Sequence, residues 1–72
     1  MGKFVEAIQA FDLAIKYKPD DAEAYYNKGN ALYKLGKFSE AIQSYDLAIK
    51  YQPDLKQAHE NKALALKKLN GD

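Results

Sequence analysis

GKFVEAIQAFDLAIKYKPD, residues 2–20, returns as GKFSEAIQSYDLAIKYQPD at residues 36–54. The blocks sit 34 residues apart and differ at four positions: Val5/Ser39, Ala10/Ser44, Phe11/Tyr45 and Lys18/Gln52. A period in this range marks stacked supersecondary units that bury a continuous core between neighbours. Such an architecture directs attention to surfaces, away from a single central site.

Pro19-Asp20 and Pro53-Asp54 punctuate the chain, as do Gly36 and, one period later, Asn70. Between them the spacing predicts helices over about 3–17, 21–35, 38–51 and 55–69. Asp20 with Glu23, and Asp54 with Gln57, have the spacing of capping pairs. The prolines stop the preceding helices because they lack an N–H. Gly36 suits the left-handed residue that closes a helix, and Asn70 is the next best type for that place.

Apolar residues recur at helical spacing throughout, and no stretch alternates as a strand would. Phe4, Ala7, Ile8, Phe11, Ala14 and Ile15 form the stripe of the first helix. Phe38, Ala41, Ile42, Tyr45, Ala48 and Ile49 form that of the third. Tyr25, Gly29, Leu32 and Leu35 share a face of the second, matched by His59, Ala63, Leu66 and Leu69 in the fourth. Small residues in these stripes allow helix axes to approach closely. Gly29, at mid-helix, is expected to pack against the third helix at Ala41 and Ala48.

Composition narrows the function. Seventy-two residues make one small domain, which buries only about 60% of its unfolded surface. There is no cysteine, which fits an intracellular, cytoplasmic protein and removes disulfide and thiolate-metal chemistry. No apolar run is long enough to span a membrane, and none opens the chain as a signal segment. The net charge is +1, and all eleven basic residues are lysine. Neither a nucleic acid nor an anionic membrane is an expected partner, since bidentate phosphate and base-edge contacts usually recruit arginine. His59 is the single histidine, so no metal site or cofactor is expected. Ser39, Ser44 and Asp46 form no nucleophile–base motif with it. Ser39 reads instead as a helix-start or capping residue. The chain is not expected to be an enzyme.

Residues 22–55, AEAYYNKGNALYKLGKFSEAIQSYDLAIKYQPDL, resemble a complete tetratricopeptide repeat. The resemblance rests on Tyr25, Gly29, Phe38, Ala41, Tyr45, Ala48 and Pro53. It departs at Lys28 and Leu32, where the family usually has an apolar residue and a tyrosine. The expected fold is all-α: an antiparallel helix-turn-helix α-solenoid of four helices, about two repeat equivalents in a half-shifted frame. Residues 1–72 then form one domain. Its parts are the second helix of a repeat (2–20), a complete repeat (21–54) and the cap-like first helix of a following one (55–70).

The resemblance implies a protein–protein interaction module that binds a peptide or protein on a concave groove. Helices 21–35 and 55–69 would line it. The groove residues would be Glu23, Tyr26, Asn27, Asn30, Tyr33, Lys34, Gln57, Asn61, Leu64 and Lys68. Tyr26, Asn30 and Tyr33 share a face, and exposed aromatics suit peptide contact; packing between helices is the competing role. Asn27 and Asn61 occupy matching places, where some family members hydrogen-bond a ligand's backbone; a solvated surface position is the alternative. A clamp for a C-terminal carboxylate, found in some members, is not carried over: Tyr26 and Glu60 stand where lysine is needed. Lys34, Lys67 and Lys68 could attract an acidic peptide or remain solvated.

The half-repeat frame has a second implication. Phe4, Ala7, Phe11 and Ala14 lack a covering helix, and the fourth helix lacks the one that normally follows it. The two vacancies are complementary, so the chain is expected to form a homo-oligomer through its terminal helices. A head-to-tail contact would give a ring or filament, and a symmetric dimer through the first helices competes with it. The chain could equally be part of a longer array. His59, Glu60 and Lys67 replace Tyr25, Tyr26 and Tyr33 of the preceding unit, which makes the fourth helix read as a solvating end cap. Binding of single-stranded RNA by a helical repeat is a third reading, disfavoured by charge and the lack of arginine.

Overall fold

The computed structural model describes residues 3–71 and contains four helices: α1 (Lys3–Tyr17), α2 (Ala22–Lys34), α3 (Phe38–Tyr51) and α4 (Lys56–Leu69). Met1, Gly2 and Asp72, the outermost residues of the expected domain, lie outside the described residues. No strand forms among residues 3–71. Each helix packs on the next in sequence, and α2 also touches α4, so these two share one side of the molecule.

The starts of α1 and α3 fall as expected, whereas those of α2 and α4 come one residue later, for a reason visible in the turns. The Asp21 N–H donates to Lys18 O at 3.0 Å, and the Leu55 N–H donates to Gln52 O at 3.1 Å. Pro19-Asp20 and Pro53-Asp54 are thus the two central residues of tight turns, where proline's fixed φ is favoured. The cap falls one residue later. Asp21, not Asp20, accepts from the Ala24 N–H at 3.3 Å. Leu55, not Asp54, holds the cap position of α4, and no side chain caps it. The capping pairs Asp20/Glu23 and Asp54/Gln57 therefore do not form. Lys37 holds the equivalent place before α3 without a side-chain cap bond, so Ser39 does not cap either.

At the C-terminus of α2, Gly36 adopts φ +80°. The Lys37 N–H then reaches back to Leu32 O at 2.9 Å and the Gly36 N–H to Tyr33 O at 3.0 Å, which satisfies carbonyls left open by the helix. Asn70 does not repeat this. It stays at φ −85°, and Gly71 takes the left-handed conformation at φ +84°. The fourth helix runs one residue further than the 34-residue period implies, and the glycine that follows carries no Cβ penalty.

The core is built largely of small residues: Ala22, Ala24, Ala31, Ala41, Ala48, Ala58 and Ala65 are buried, with Leu32 and Tyr45 as the large members. Ile8, Tyr26, Tyr33 and Ile42 pack around its centre. Two features of this core go beyond the expectation. Gly29 packs against α3 as expected, and its nearest approach there is to the Tyr45 ring, whose carbons lie 2.6–3.1 Å from where a Cβ would stand. In α4 the buried positions are Ala58 and Ala65, whereas His59, Ala63, Leu66 and Leu69 are all exposed. The first-position helices use two faces. Ala24/Ala31 and Ala58/Ala65 are one pair of repeat-equivalent faces; Gly29 and Leu32 belong to another, whose counterpart in α4 is uncovered among the described residues.

Ion pairs repeat with the same period. Lys28 Nζ meets Asp12 Oδ1 at 2.7 Å between α1 and α2, and Lys62 Nζ meets Asp46 Oδ1 at 2.6 Å between α3 and α4. This accounts for lysine at position 28, where the sequence departs from the family's apolar residue. Charge and aliphatic stem together occupy the seam, with the ammonium directed at a carboxylate.

Candidate functional site

The candidate groove lies on the side shared by α2 and α4. Helical spacing sends Tyr26, Asn30 and Tyr33 of α2 towards it, and α4 contributes Gln57, Asn61 and Leu64. A hydrogen-bond network ties the two helices together across the groove floor. The Tyr45 hydroxyl, rising from α3, donates to Asn30 Oδ1 at 2.6 Å. The same oxygen accepts from Asn61 Nδ2 at 2.9 Å. Asn61 Nδ2 also lies 3.3 Å from the Tyr26 hydroxyl, which accepts from it.

The aromatic residues are tied in as well. The Tyr26 ring is tilted against Tyr45, with centroids 6.1 Å apart, and Tyr33 meets Phe38 edge-on at 5.2 Å. Burial holds the Tyr45 phenol neutral, and a neighbouring negative charge on Tyr26 would oppose its ionisation further; its pKa is pushed up to about 12. Tyr26, Asn30, Tyr33 and Asn61 are half-buried. They hold the floor together and still present an edge to solvent, so packing and surface roles coexist in the same side chains.

Two clefts open along this side. The larger, about 510 Å³, lies at the helix starts and includes Glu23, Tyr26, Gln57, Tyr51 and Leu55 in its lining. Lys18, Asp20 and Asp21 make its rim ionic. The smaller, about 310 Å³, is lined by Asn30, Tyr33, Lys34, Tyr45, Asn61 and Leu64. Eight of the ten expected groove residues thus line one cleft or the other. Asn27 and Lys68 line neither. Of the two asparagines at matching places, Asn61 is built into the floor through its bonds to Asn30 and Tyr26.

Tyr45 is the residue that sequence reasoning assigned to the core alone. Its hydroxyl anchors the floor. A signal for this was present one period away: Phe11 replaces Tyr45, and Leu64 replaces its partner Asn30. Both halves of the hydrogen bond change together to apolar residues.

Outside the groove, two further bonds repeat with the period. The Tyr25 hydroxyl donates to Pro19 O at 2.9 Å, and His59 Nε2 lies 2.8 Å from Pro53 O, to which it donates. Tyr25 also stacks on Tyr51 at 5.7 Å between centroids. His59 is thereby a turn-fastening residue. No group of three or more histidine, cysteine, aspartate or glutamate side chains is placed to hold a metal among the described residues. No helix among them is long and apolar enough to cross a membrane.

Helices arranged as paired antiparallel units, with a 34-residue period in contacts as well as sequence, define a helical-hairpin repeat protein. The family comparison is specific. Residues 22–55 match the model described as tetratricopeptide repeat, and residues 1–36 match a second, described as TPR repeat. The chain belongs to the tetratricopeptide repeat family. No curated protein matches it. Repeats of this family generally mediate protein–protein interaction and typically do so without catalysis.

Proposed function

We propose that this chain is a non-catalytic interaction module that takes an extended peptide segment of a protein partner along the side shared by α2 and α4. The observation that carries this reading is the cleft of Asn30, Tyr33, Lys34, Tyr45, Asn61 and Leu64. Tyr33 and Leu64 offer apolar surface for one side chain of the peptide. Asn30 and Asn61 border its path with carboxamides, which can serve an extended backbone without reading its sequence. Lys34 sits at the rim, placed to favour a carboxylate next to the apolar anchor, and Lys68 extends the same charge along α4. Glu23, Tyr26 and Gln57 would continue the track into the larger cleft. An intracellular, cytoplasmic setting belongs to this reading.

A displayed library of random dodecapeptides panned against the 72-residue chain tests it. Enriched peptides should share an apolar residue flanked by acidic ones. Leu64→Ala, at an exposed position, should weaken them about tenfold, whereas Leu13→Ala on α1 should not. Equal binding to both variants, or no enrichment, contradicts the reading.

A second reading is self-assembly through the terminal helices. Its support is a difference in cover between equivalent positions. Ala41, Tyr45 and Ala48 are buried in α3, but Ala7, Phe11 and Ala14 are only half-buried in α1, and Phe4 is exposed where Phe38 is half-covered.

A further inference from the structure

Resting on that second reading, we infer that the outward face of α4 (His59, Ala63, Leu64, Leu66 and Lys67) receives α1 of a second copy, head to tail. The chain's own α2–α3 contact serves as the template, because α4 repeats α2 and α1 repeats α3. Applying the 34-residue period to each contact in that interface gives the pairs the new one would make.

The pairs are chemically matched. The Tyr25–Tyr51 stack becomes His59 with Tyr17, again two rings. The Tyr33–Phe38 edge contact becomes Lys67 with Phe4, a cation and its stem over an aromatic face. The Asn30–Tyr45 hydrogen bond becomes Leu64 with Phe11. Here both polar partners are replaced by apolar ones, so docking would strand no donor or acceptor. Leu66 and Leu69 stand where Leu32 and Leu35 stand in α2.

Exposure agrees with this pairing. Tyr17 is 81% exposed, and Leu64, Leu66, Leu69 and Phe4 are among the exposed large apolar residues. A purely solvating end helix, as expected from the sequence, would not carry three exposed leucines. One pair is discordant: Ala63 replaces Gly29, and a methyl there meets the ring that Phe11 would seat. Template contacts of 2.6 and 2.8 Å are shorter than a real Cβ makes, so the Phe11 ring must shift bodily aside, and this contact is looser than the α2–α3 contact it copies.

The contact is heterologous, so it propagates until a ring closes or a filament forms. Two exposed-face variants separate it from symmetric pairing. Phe4→Glu blocks the α1 face, and Leu66→Glu blocks the α4 face. Tyr17→Glu and Leu69→Glu are alternates at more exposed positions, and circular dichroism confirms that each retains its helices. The expected result by sedimentation equilibrium has three parts. The parent's average mass climbs with concentration past twice its 8.1 kDa. Each variant alone stays at 8.1 kDa. Their equimolar mixture stops at one-to-one pairs. A variant that still pairs with itself means symmetric contact; it overturns this inference and leaves the self-assembly reading intact. A parent that remains at 8.1 kDa at every concentration overturns both.

Discussion

Gly29 of α2 lies directly against the ring of Tyr45 in α3: a Cβ at position 29 would stand 2.6 Å from Tyr45 Cε1 and 2.8 Å from Cδ1. Tyr45 is only 1% exposed and hydrogen-bonded to Asn30, so the ring has little room to withdraw. The absence of a side chain at one residue thereby sets how closely α2 and α3 approach, and hence how high the Tyr45 hydroxyl reaches into the groove floor.

Gly29→Ala is expected to destabilise the chain. Alanine is favoured over glycine in a helix by about 1 kcal/mol, but overpacking a closed site costs about 1–3 kcal/mol. Displacing the ring also strains the Asn30 bond. The net loss should be about 1 kcal/mol by urea denaturation. A more stable variant would show that the ring gives way freely.

Tyr45→Phe removes the hydroxyl and keeps the ring. Asn30 Oδ1 retains the Asn61 donor, so no buried acceptor is orphaned, and the loss should be about 1 kcal/mol. The groove floor should loosen with it, seen as faster exchange of the Asn61 side-chain amide protons in NMR spectra. Unchanged exchange would mean that the floor is held by packing alone.

Stability should fall in alkali through Tyr45. Its folded pKa is raised to about 12, against about 10 in an unfolded chain. The unfolded state therefore releases the proton first. The contribution is fully present below about pH 10 and is lost as pH rises from 10 to 12, by up to about 2 kcal/mol. Lysines and other tyrosines titrate in the same window, so the comparison is with Tyr45→Phe. Its urea midpoint should drop less than the parent's between about pH 8 and pH 11. Parallel drops would assign the effect elsewhere.

The periodic ion pairs should matter little to stability. Asp46 is half exposed and Lys62 about one-third exposed. Asp46→Asn should cost about 0.5 kcal/mol at low salt, and the difference should vanish near 1 M salt. A loss of several kcal/mol that persists in salt would mean that the pair is effectively buried.

Much of this architecture was legible in the sequence because the repeat is so well preserved. The helices lie where the punctuation placed them, within a residue, and the stripe of α3 is covered as its spacing implied. What failed was local or depended on neighbours. Asp20 and Asp54 look like caps, but proline before each draws them into a turn and passes the cap onward. Asn70 lost its place because a glycine one residue later suits a left-handed backbone better. The stripe from His59 to Leu69 is apolar at the right spacing, yet burial depends on a facing helix, and none among the described residues covers it. On the side shared by α2 and α4, helical spacing made legible which residues face the same way, but not how they bond to one another. Tyr26, Asn30 and Asn61 meet there, and their mutual bonds depend on a hydroxyl delivered from α3. Only the paired exchange of Asn30/Tyr45 for Leu64/Phe11 hinted at that.

The most direct test of the groove is an NMR titration of the ¹⁵N-labelled chain with the tightest peptide from the displayed library. The account predicts shifts concentrated at the Asn30 and Asn61 side-chain amides and at the backbone of Tyr33, Lys34 and Leu64, with the α1 residues around Leu13 unmoved. Shifts confined to α1, or to the outward face of α4 around Leu66, would contradict it and place the partner on the terminal helices.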